Sequence, residues 1–483
     1  FGGWKKQLSP FWFRLVQFYS ALFVQNISSA KMHGQVVIIN FPDTGHINPT
    51  LPLVAELANH VQVTYFLPAP FRSVVEAAGA QWRPLARPHD MDEEMLAHYL
   101  YPDAPPEEYE FPLCTLAVAA WILPDLILEL QNLQPPPGVI IYDPFLPHAL
   151  VAARHLGIPA ISTVTHPGPG TMPHPPQLIE EWESHDIVRK ARQEIIDLYD
   201  VDVFASGTLM EFYSPDLNLV TTIPEFYAPP RLSPQIQRFG HFPFHCVGPL
   251  VNTKLKRVAH AAATKEGEAV PWEMIDKAQG TQNKRLVFLS MGTVATGGRW
   301  KGSFGPLAAH NGIQSCSGKD FLQRVWKVAF EALGGEDDVL VLMVVGPQAD
   351  ALDTLPEAPS NFIIRQTVPQ LEVLKRCRAF VTHGGNNSIH EALAYAVPMA
   401  VIPMFGDQPY NADAVAALGC GHSFRYPLET LTAKSLRSAV RSLLDDASYH
   451  CAALEMSQKL CCSGGAKGAV EAILRTTSQC HLA

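Results

Sequence analysis

The sequence predicts an α/β protein made of two open parallel sheets that face each other across a cleft. Short β-branched or apolar runs alternate with helical spacings, which is the pattern of strands joined by crossover helices. The alternation comes in two series of similar length, with a polar stretch lacking any periodicity between them. The chain is also long enough: 483 residues, 47% hydrophobic and 17% charged, suit two or three domains with sizeable cores and argue against disorder over most of the length.

The first series opens with Val36–Phe41, a β-branched run, followed by Pro42-Asp43-Thr44-Gly45-His46 as a loop. Asn48-Pro49 reads as a helix start, with asparagine at the cap and proline in the first turn, ahead of Leu51, Val54, Ala55, Leu57 and Ala58. Val61–Leu67 is the next strand and Phe71–Ala78 the next helix. Gly138–Tyr142 is a buried strand ending at Asp143, Ala149–Leu156 a helix and Pro159–Val164 a strand. Thr165–Pro176 is rich in proline and glycine, so it forms a loop that shapes a surface or a pocket rim, with His166 and His174 read as solvated residues or pocket lining. The polar stretch Val251–Val270 is the linker. The second series has strands at Arg285–Ser290, Val339–Val345, Phe362–Arg365, Ala379–Thr382 and Met399–Pro403. The expected division is an extension over 1–31, a first domain over 32–250, a linker over 251–270 and a second domain over 271–483, with a last helix able to pack back on the first domain. Open parallel sheets bind ligands beyond the carboxyl ends of their strands, so the cleft is the expected site.

Lysine and arginine total 36 against 46 aspartate and glutamate, and a net charge of −10 excludes a nucleic-acid backbone as the expected partner. Nine scattered cysteines without a C-x-x-C pair give neither a disulfide nor a zinc framework and fit a reducing, cytoplasmic compartment. His241 and His245 stand four apart, but Pro243 between them opposes a helix presenting both to a metal, so no metal site is expected. In the extension, Leu8–Val24 is apolar but interrupted by Pro10, Arg14 and Gln17, which is too short for a membrane span. Lys5-Lys6, that stretch and Ser28-Ser29-Ala30 can be drawn as a signal peptide, and Met32 as an alternative start, so targeting or membrane contact is confined to 1–31.

The strongest local feature is Phe380–Glu391, where an apolar strand runs into two adjacent glycines and a helix begins near Asn387 or Ser388. Glycines admit close backbone approach, and the free N–H groups of a helix start favour a diphosphate. His383, Asn387 and Ser388 add donors, and Glu391, one turn on, offers a carboxylate to two ribose hydroxyls. By itself the segment also reads as a glycine-rich turn with a capping serine.

Its surroundings resolve that ambiguity. Val368-Pro369-Gln370 precedes it, and Val397-Pro398, Pro403, Asp407-Gln408 and Asn411-Ala412 follow in order. From Thr367 to Gln408 the chain resembles the UDP-glycosyltransferase family (glycosyltransferase family 1), whose signature runs from Trp-x-Pro-Gln through His-Cys-Gly-Trp-Asn-Ser-x-x-Glu or His-Gly-Gly to Gly-Val-Pro and Asp/Glu-Gln. The resemblance implies the GT-B fold, two Rossmann-like parallel α/β domains. It also implies that His383, Asn387 and Ser388 hold the donor diphosphate, Glu391 the ribose, and Asp407 with Gln408 the sugar hydroxyls. Ser290-Met291-Gly292-Thr293 is similar to the family's Ser-x-Gly-Ser/Thr loop, and Val368, Gln370 and Gly385 complete the implied donor set. Gly45-His46-Ile47-Asn48-Pro49 is similar to Gly-His-x-x-Pro, whose histidine is the family's general base. A neutral imidazole suits proton removal from an acceptor hydroxyl near pH 7. Asp143, at another strand's carboxyl end, qualifies as its orienter, as the family's equivalent aspartate does.

The resemblance departs at Thr367, where the family has the tryptophan that stacks on uracil, so the nucleotide base is left open; Thr296–Asp320 is longer than the family's loop. The resulting expectation is a monomeric, inverting, metal-independent hexosyltransferase of secondary metabolism. It would take a nucleotide sugar, UDP-linked by family, and a small apolar acceptor bound by loops such as Tyr101–Glu110 and Thr165–Pro176. The alternatives are a nucleotide-sugar epimerase or hydrolase of the same fold and a non-catalytic binder.

Overall fold

The computed structural model describes residues 34–85, 112–172, 176–252, 255, 257 and 269–480. The extension 1–31, Met32, the loop 101–110, His174 and most of the linker 251–270 lie outside the described residues. Among the described residues there are two sheets, and every strand pair in them is parallel. The first holds β1 (Gln35–Ile39), β2 (Val63–Phe66), β3 (Gln81–Arg83), β4 (Pro137–Tyr142), β5 (Ala160–Val164), β6 (Leu217–Val220) and β7 (Phe244–Cys246), in the order β3-β2-β1-β4-β5-β6-β7. The second holds β8 (Arg285–Ser290), β9 (Val339–Val344), β10 (Phe362–Arg365), β11 (Ala379–Thr382), β12 (Met399–Val401) and β13 (Gly421–Ser423), in the order β10-β9-β8-β11-β12-β13.

Helices cover both faces of each sheet, which is why β1, β4 and β8 are apolar almost throughout rather than alternating. In β1, Val37 and Ile39 pack under the helices Thr115–Gln131 and Pro147–His155, while Val36 and Ile38 pack under Thr44–Leu57. In the second domain Val287 and Leu289 face the helix Gly318–Leu333, and Leu286 and Phe288 face Asn386–Ala394. Ile223 and Phe226 leave the first domain to enter this last cluster.

Among the described residues, two segments of the chain join the domains. After Gly248 the chain passes to the second domain, and it returns as the C-terminal helix Gly465–Cys480, whose Ala469, Val470 and Ile473 join the first domain's core beside Leu51 and Val54. The crossings touch: Gly465 N–H donates to the Val247 carbonyl, and Ser463 fills the space where a side chain at Gly248 would stand.

Two expectations are corrected. The helix expected at Asn48-Pro49 begins at Thr44, because the Asp43 carboxylate caps it by accepting from Gly45 N–H at 2.7 Å. His46 therefore sits in the first helical turn, and Pro49 and Pro52 lie inside the helix. The glycine-rich helix starts at Asn386, one residue before the expected range. The long segment after β8 is packed into the second core through Trp300, Phe304 and Ile313. Its Asn311 side chain joins the Pro403 carbonyl to Tyr426 N–H, so it buttresses the loop leading to Asp407.

Candidate active site

The strand order reverses between β1 and β4 in the first sheet and between β8 and β11 in the second. Such switch points open a crevice because the flanking connections leave in opposite directions. The register pairs Ile39 with Tyr142 and Ser290 with Thr382. Hence Asp143 directly ends β4, His383 directly ends β11, Met291-Gly292-Thr293 follows β8, and His46 lies seven residues beyond Ile39 on the capped helix. His46, Asp143, Thr293 and His383 thus stand at the two switch points, while Val368 and Gln370 follow β10 and Asp407 and Gln408 follow β12.

His46 Nδ1 is 2.6 Å from Asp143 Oδ2. Asp143 is fully buried, and its other oxygen accepts from Phe145 N–H at 2.9 Å. The imidazole lies between Phe41 and Phe145, each 5.1 Å away centroid to centroid, and the His46 backbone carbonyl accepts from Asn40 Nδ2 at 3.0 Å. Burial works against a charge on the ring, but Asp143, through both its charge and its hydrogen bond, outweighs that with help from Asp43 and Asp407. The pKa of His46 is raised above the ordinary histidine value. With Nδ1–H given to a carboxylate, Nε2 carries the lone pair, which is the tautomer a general base needs.

Across the cleft, Gly385 caps the helix Asn386–Ala394 with no side-chain cap, so the first-turn N–H groups lack an intrahelical acceptor. The His383 ring fills the space above both Gly292 and Gly385; a Cβ at either would come within 2.6 Å of it. Burial pushes the His383 pKa down to about 4 despite a hydrogen bond to the Ser290 backbone. Gln370 Nε2 donates to Glu391 Oε2 at 2.8 Å and lies 3.4 Å from Ser388 Oγ, which brings these three together. Gln408 Oε1 accepts from Met404 and Phe405 N–H, and the Asp407 carboxylate accepts from Asn411 Nδ2 at 2.9 Å. Burial raises the Asp407 pKa, opposed by His166, Asn411 and backbone N–H groups including that of Asn386. Val368 and Thr367 stand half-buried ahead of the short helix Gln370–Leu374.

Several of these groups are engaged across the cleft. Asn387 Nδ2 donates to the Gly45 carbonyl at 2.7 Å, and Thr293 Oγ1 lies 3.2 Å from Thr44 Oγ1. The Gly45 carbonyl is free to accept because its helical partner four residues on would be the N–H that Pro49 lacks. Asn387 thus supports closure here rather than standing open as a donor. Asn386, which the sequence did not single out, donates through Nδ2 to the Thr165 carbonyl at 3.0 Å, and His390 joins Thr222 Oγ1 at 2.9 Å. Glu391 also pairs with Arg257 of the linker at 2.5 Å.

His166 is not solvated: it is 6% exposed and paired with Glu211 at 2.5 Å. Sequence reasoning also missed Asn40, Phe41 and Phe145 around the base. A polar residue directly after an apolar strand, as in Ile39-Asn40, was the available signal for the first. Among the described residues no group of three His, Cys, Asp or Glu side chains stands close enough to hold a metal, and no helix is long and apolar enough to cross a membrane.

Residues 350–460 match the family described as UDP-glucoronosyl and UDP-glucosyl transferase. The chain is 27% identical over 466 residues to the uncharacterized UDP-glucosyltransferase YojK of Bacillus subtilis, covering 92% of this chain and 98% of that one. It is 28% identical over 448 residues to the NDP-glycosyltransferase YjiC of the same organism, covering 92% and 98%. The solved structure of the glycotransferase of kitacinnamycin superposes with a TM-score of 0.64 at 22% identity over 92% of this chain and 98% of that one, which identifies the fold as GT-B. The family model over 350–460 and these relatives make the chain similar to the UDP-glycosyltransferases, and His46, Asp143, Thr293 and His383 stand at the two switch points of that fold.

Proposed function

We propose that this glycosyltransferase moves a hexose from a nucleoside-diphosphate sugar, UDP-linked by its relatives' names, to a hydroxyl of a small, mainly apolar acceptor, with inversion at the anomeric carbon and without a metal. The observation that carries this reading is the 2.6 Å bond between His46 and a fully buried Asp143 at one switch point, opposite the helix start at the other.

In this mechanism His46 Nε2 takes the proton of the acceptor hydroxyl as its oxygen attacks the anomeric carbon. The bond from that carbon to the diphosphate breaks, and the nucleoside diphosphate leaves on the opposite face. Asp143 keeps the tautomer and stabilises the imidazolium. The leaving diphosphate meets the N–H groups of Asn386–Ser388, Thr293 and His383. Its charge favours the protonated form of His383, which donates from both ring nitrogens. Glu391 and Gln370 suit the ribose, and Asp407 with the free amide of Gln408 suits the sugar hydroxyls. Since the protein is acidic overall, the anionic donor is captured by these local groups rather than by a long-range field.

The test uses UDP-glucose with an acceptor chosen from phenols, sterols and macrolides by product mass spectrometry. His46→Ala should lose transfer by about 10³-fold while still binding UDP, and proton NMR should show a β-linked product. Near-wild-type transfer by this variant removes His46 from the role. Exhaustive chelation should leave the rate unchanged, and a loss restored by Mg²⁺ or Mn²⁺ refutes the metal-free mechanism.

A further inference from the structure

A second histidine–carboxylate pair lies beside the site and takes no part in the steps above. His166 and Glu211 are 6% and 0% exposed, with Nε2 and Oε1 2.5 Å apart. Tyr213 OH donates to the other Glu211 oxygen at 2.6 Å. His166 Nδ1 faces the Gly168 carbonyl at 3.0 Å and Thr171 Oγ1 at 3.1 Å, and the Thr171 hydroxyl has already given its proton to that carbonyl. Gly168 N–H also lies 3.3 Å from Nδ1; burial works against a charge on the ring, but Glu211, through its charge and hydrogen bond, outweighs it with help from Asp407 and the Gly168 backbone, so the His166 pKa is raised and the imidazolium favoured. A buried ion pair adds little stability over an apolar replacement, so the question is what its geometry holds in place.

It holds the turn 165–171 against the donor half. Thr165 Oγ1 lies 3.4 Å from His46 Nδ1, and the Thr165 carbonyl accepts from Asn386 Nδ2 at the start of the diphosphate helix. Gly168, at φ 138°, and Gly170 press on the carbonyls of Ala228 and Pro229, where a Cβ would come within 2.5 Å. The neighbouring Tyr227 carbonyl accepts from Tyr410 OH at 3.3 Å, on the helix that opens at Gln408. The charged groups around His166 are Glu211, with the Tyr213 hydroxyl, from its own domain, and Asp407 from the other. His46, with Asp143 and Asp43, stands beyond Thr165.

We propose that His166 is a positioning residue for the donor sugar: clamped by Glu211, it fixes the turn 165–171 against Asn386 and, through Tyr227 and Tyr410, against the helix that opens at Gln408. The inference rests on the reading that Asp407 and Gln408 hold the sugar hydroxyls. Burial disfavours the Asp407 carboxylate and the His166 charge opposes that effect, so removing the charge favours the protonated, poorly accepting form. Sugar recognition then depends on His166, whereas recognition of the nucleoside diphosphate does not.

The test compares His166→Asn, Glu211→Gln and Asp407→Asn with wild type, measuring KM for UDP-glucose and inhibition by UDP between pH 5.5 and 8.5. The first two variants should raise KM about tenfold, most at the acidic end, with UDP inhibition within twofold of wild type. If Asp407→Asn leaves KM unchanged, the sugar-binding reading fails and the inference falls with it. If Asp407→Asn raises KM but neither His166→Asn nor Glu211→Gln does, the inference alone fails. Equal losses for UDP-glucose and UDP, or a change in kcat alone, reduce His166 to a structural role and also overturn it. Ring ¹⁵N shifts of His166 in the wild-type protein at pH 7.5 provide a check that needs no variant: both nitrogens protonated supports the proposal and a neutral ring refutes it.

Discussion

Asp143→Asn separates the orienting carboxylate from everything else in the site. Asp143 accepts twice, from Phe145 N–H at 2.9 Å and from His46 Nδ1 at 2.6 Å. An amide of the same shape has one acceptor and one donor end for these two donors. Turning its NH₂ toward Phe145 N–H sets donor against donor in a buried position, at a cost of about 1–3 kcal/mol. The favoured arrangement therefore turns NH₂ toward His46, which must accept at Nδ1 and carry its proton on Nε2, the wrong tautomer for a base. That preference leaves between roughly a fifth and a hundredth of the molecules competent. Losing the charge-assisted bond that steadies the imidazolium removes about 1.5–3 kcal/mol more from the transition state. Together they predict a fall in kcat of about 10²- to 10⁴-fold. Because Asp143 raises the His46 pKa, and the base works deprotonated, the wild-type rate climbs with pH through that raised value. The acid limb of the variant should move to lower pH. The assay is product formation by mass spectrometry across pH 5.5–9, with UDP inhibition and Tm as controls. A kcat within tenfold of wild type, or an unmoved acid limb, refutes the reasoning.

Pro49→Ala restores the helical N–H that the Gly45 carbonyl lacks, so Tm should rise by a few degrees while Asn387 loses part of its hold across the cleft and KM for UDP-glucose increases; a fall in Tm by differential scanning fluorimetry contradicts this. His390 is 1% exposed with its pKa pushed down to about 4 by burial, so between pH 6.5 and 4 the unfolded chain binds a proton that the folded one refuses, and stability drops as the pH falls through that window by about 3 kcal/mol from this group alone. His390→Gln should flatten the decline of Tm over this range, and an identical decline in both proteins sinks the assignment.

What the sequence discloses follows from where information about contacts resides. Val36–Ile39, Arg285–Ser290 and Ala379–Thr382 are interior strands, buried on both faces, and their unbroken apolar runs announce them. β3, β7 and β13 escape because each is three residues long at a sheet edge and carries partly exposed or polar side chains such as Gln81, His245 and His422. The helix start at Thr44 is hidden because Asp43-Thr44-Gly45 has the composition of a turn, while Asn48-Pro49 imitates a cap and a first-turn proline. Site residues beside strand ends, such as Asp143 and His383, are readable since a strand's end fixes their place. The bonds from Asn387 to Gly45 and from Arg257 to Glu391 join residues 342 and 134 positions apart, and no local pattern encodes them.

The paired crossings bear on how this protein can be recombined. Since the helix Gly465–Cys480 completes the core of the first domain, that domain is assembled from both ends of the described chain, and a cut at the linker severs only one of its two ties. A chimera that exchanges first domains by replacing everything before Val251 would lay a foreign surface against Ala469, Val470 and Ile473. The exchangeable unit consists of the N-terminal half together with the final helix. The two connections meet where Val247 and Gly248 contact Ser463 and Gly465, so a change to one connection acts on the other.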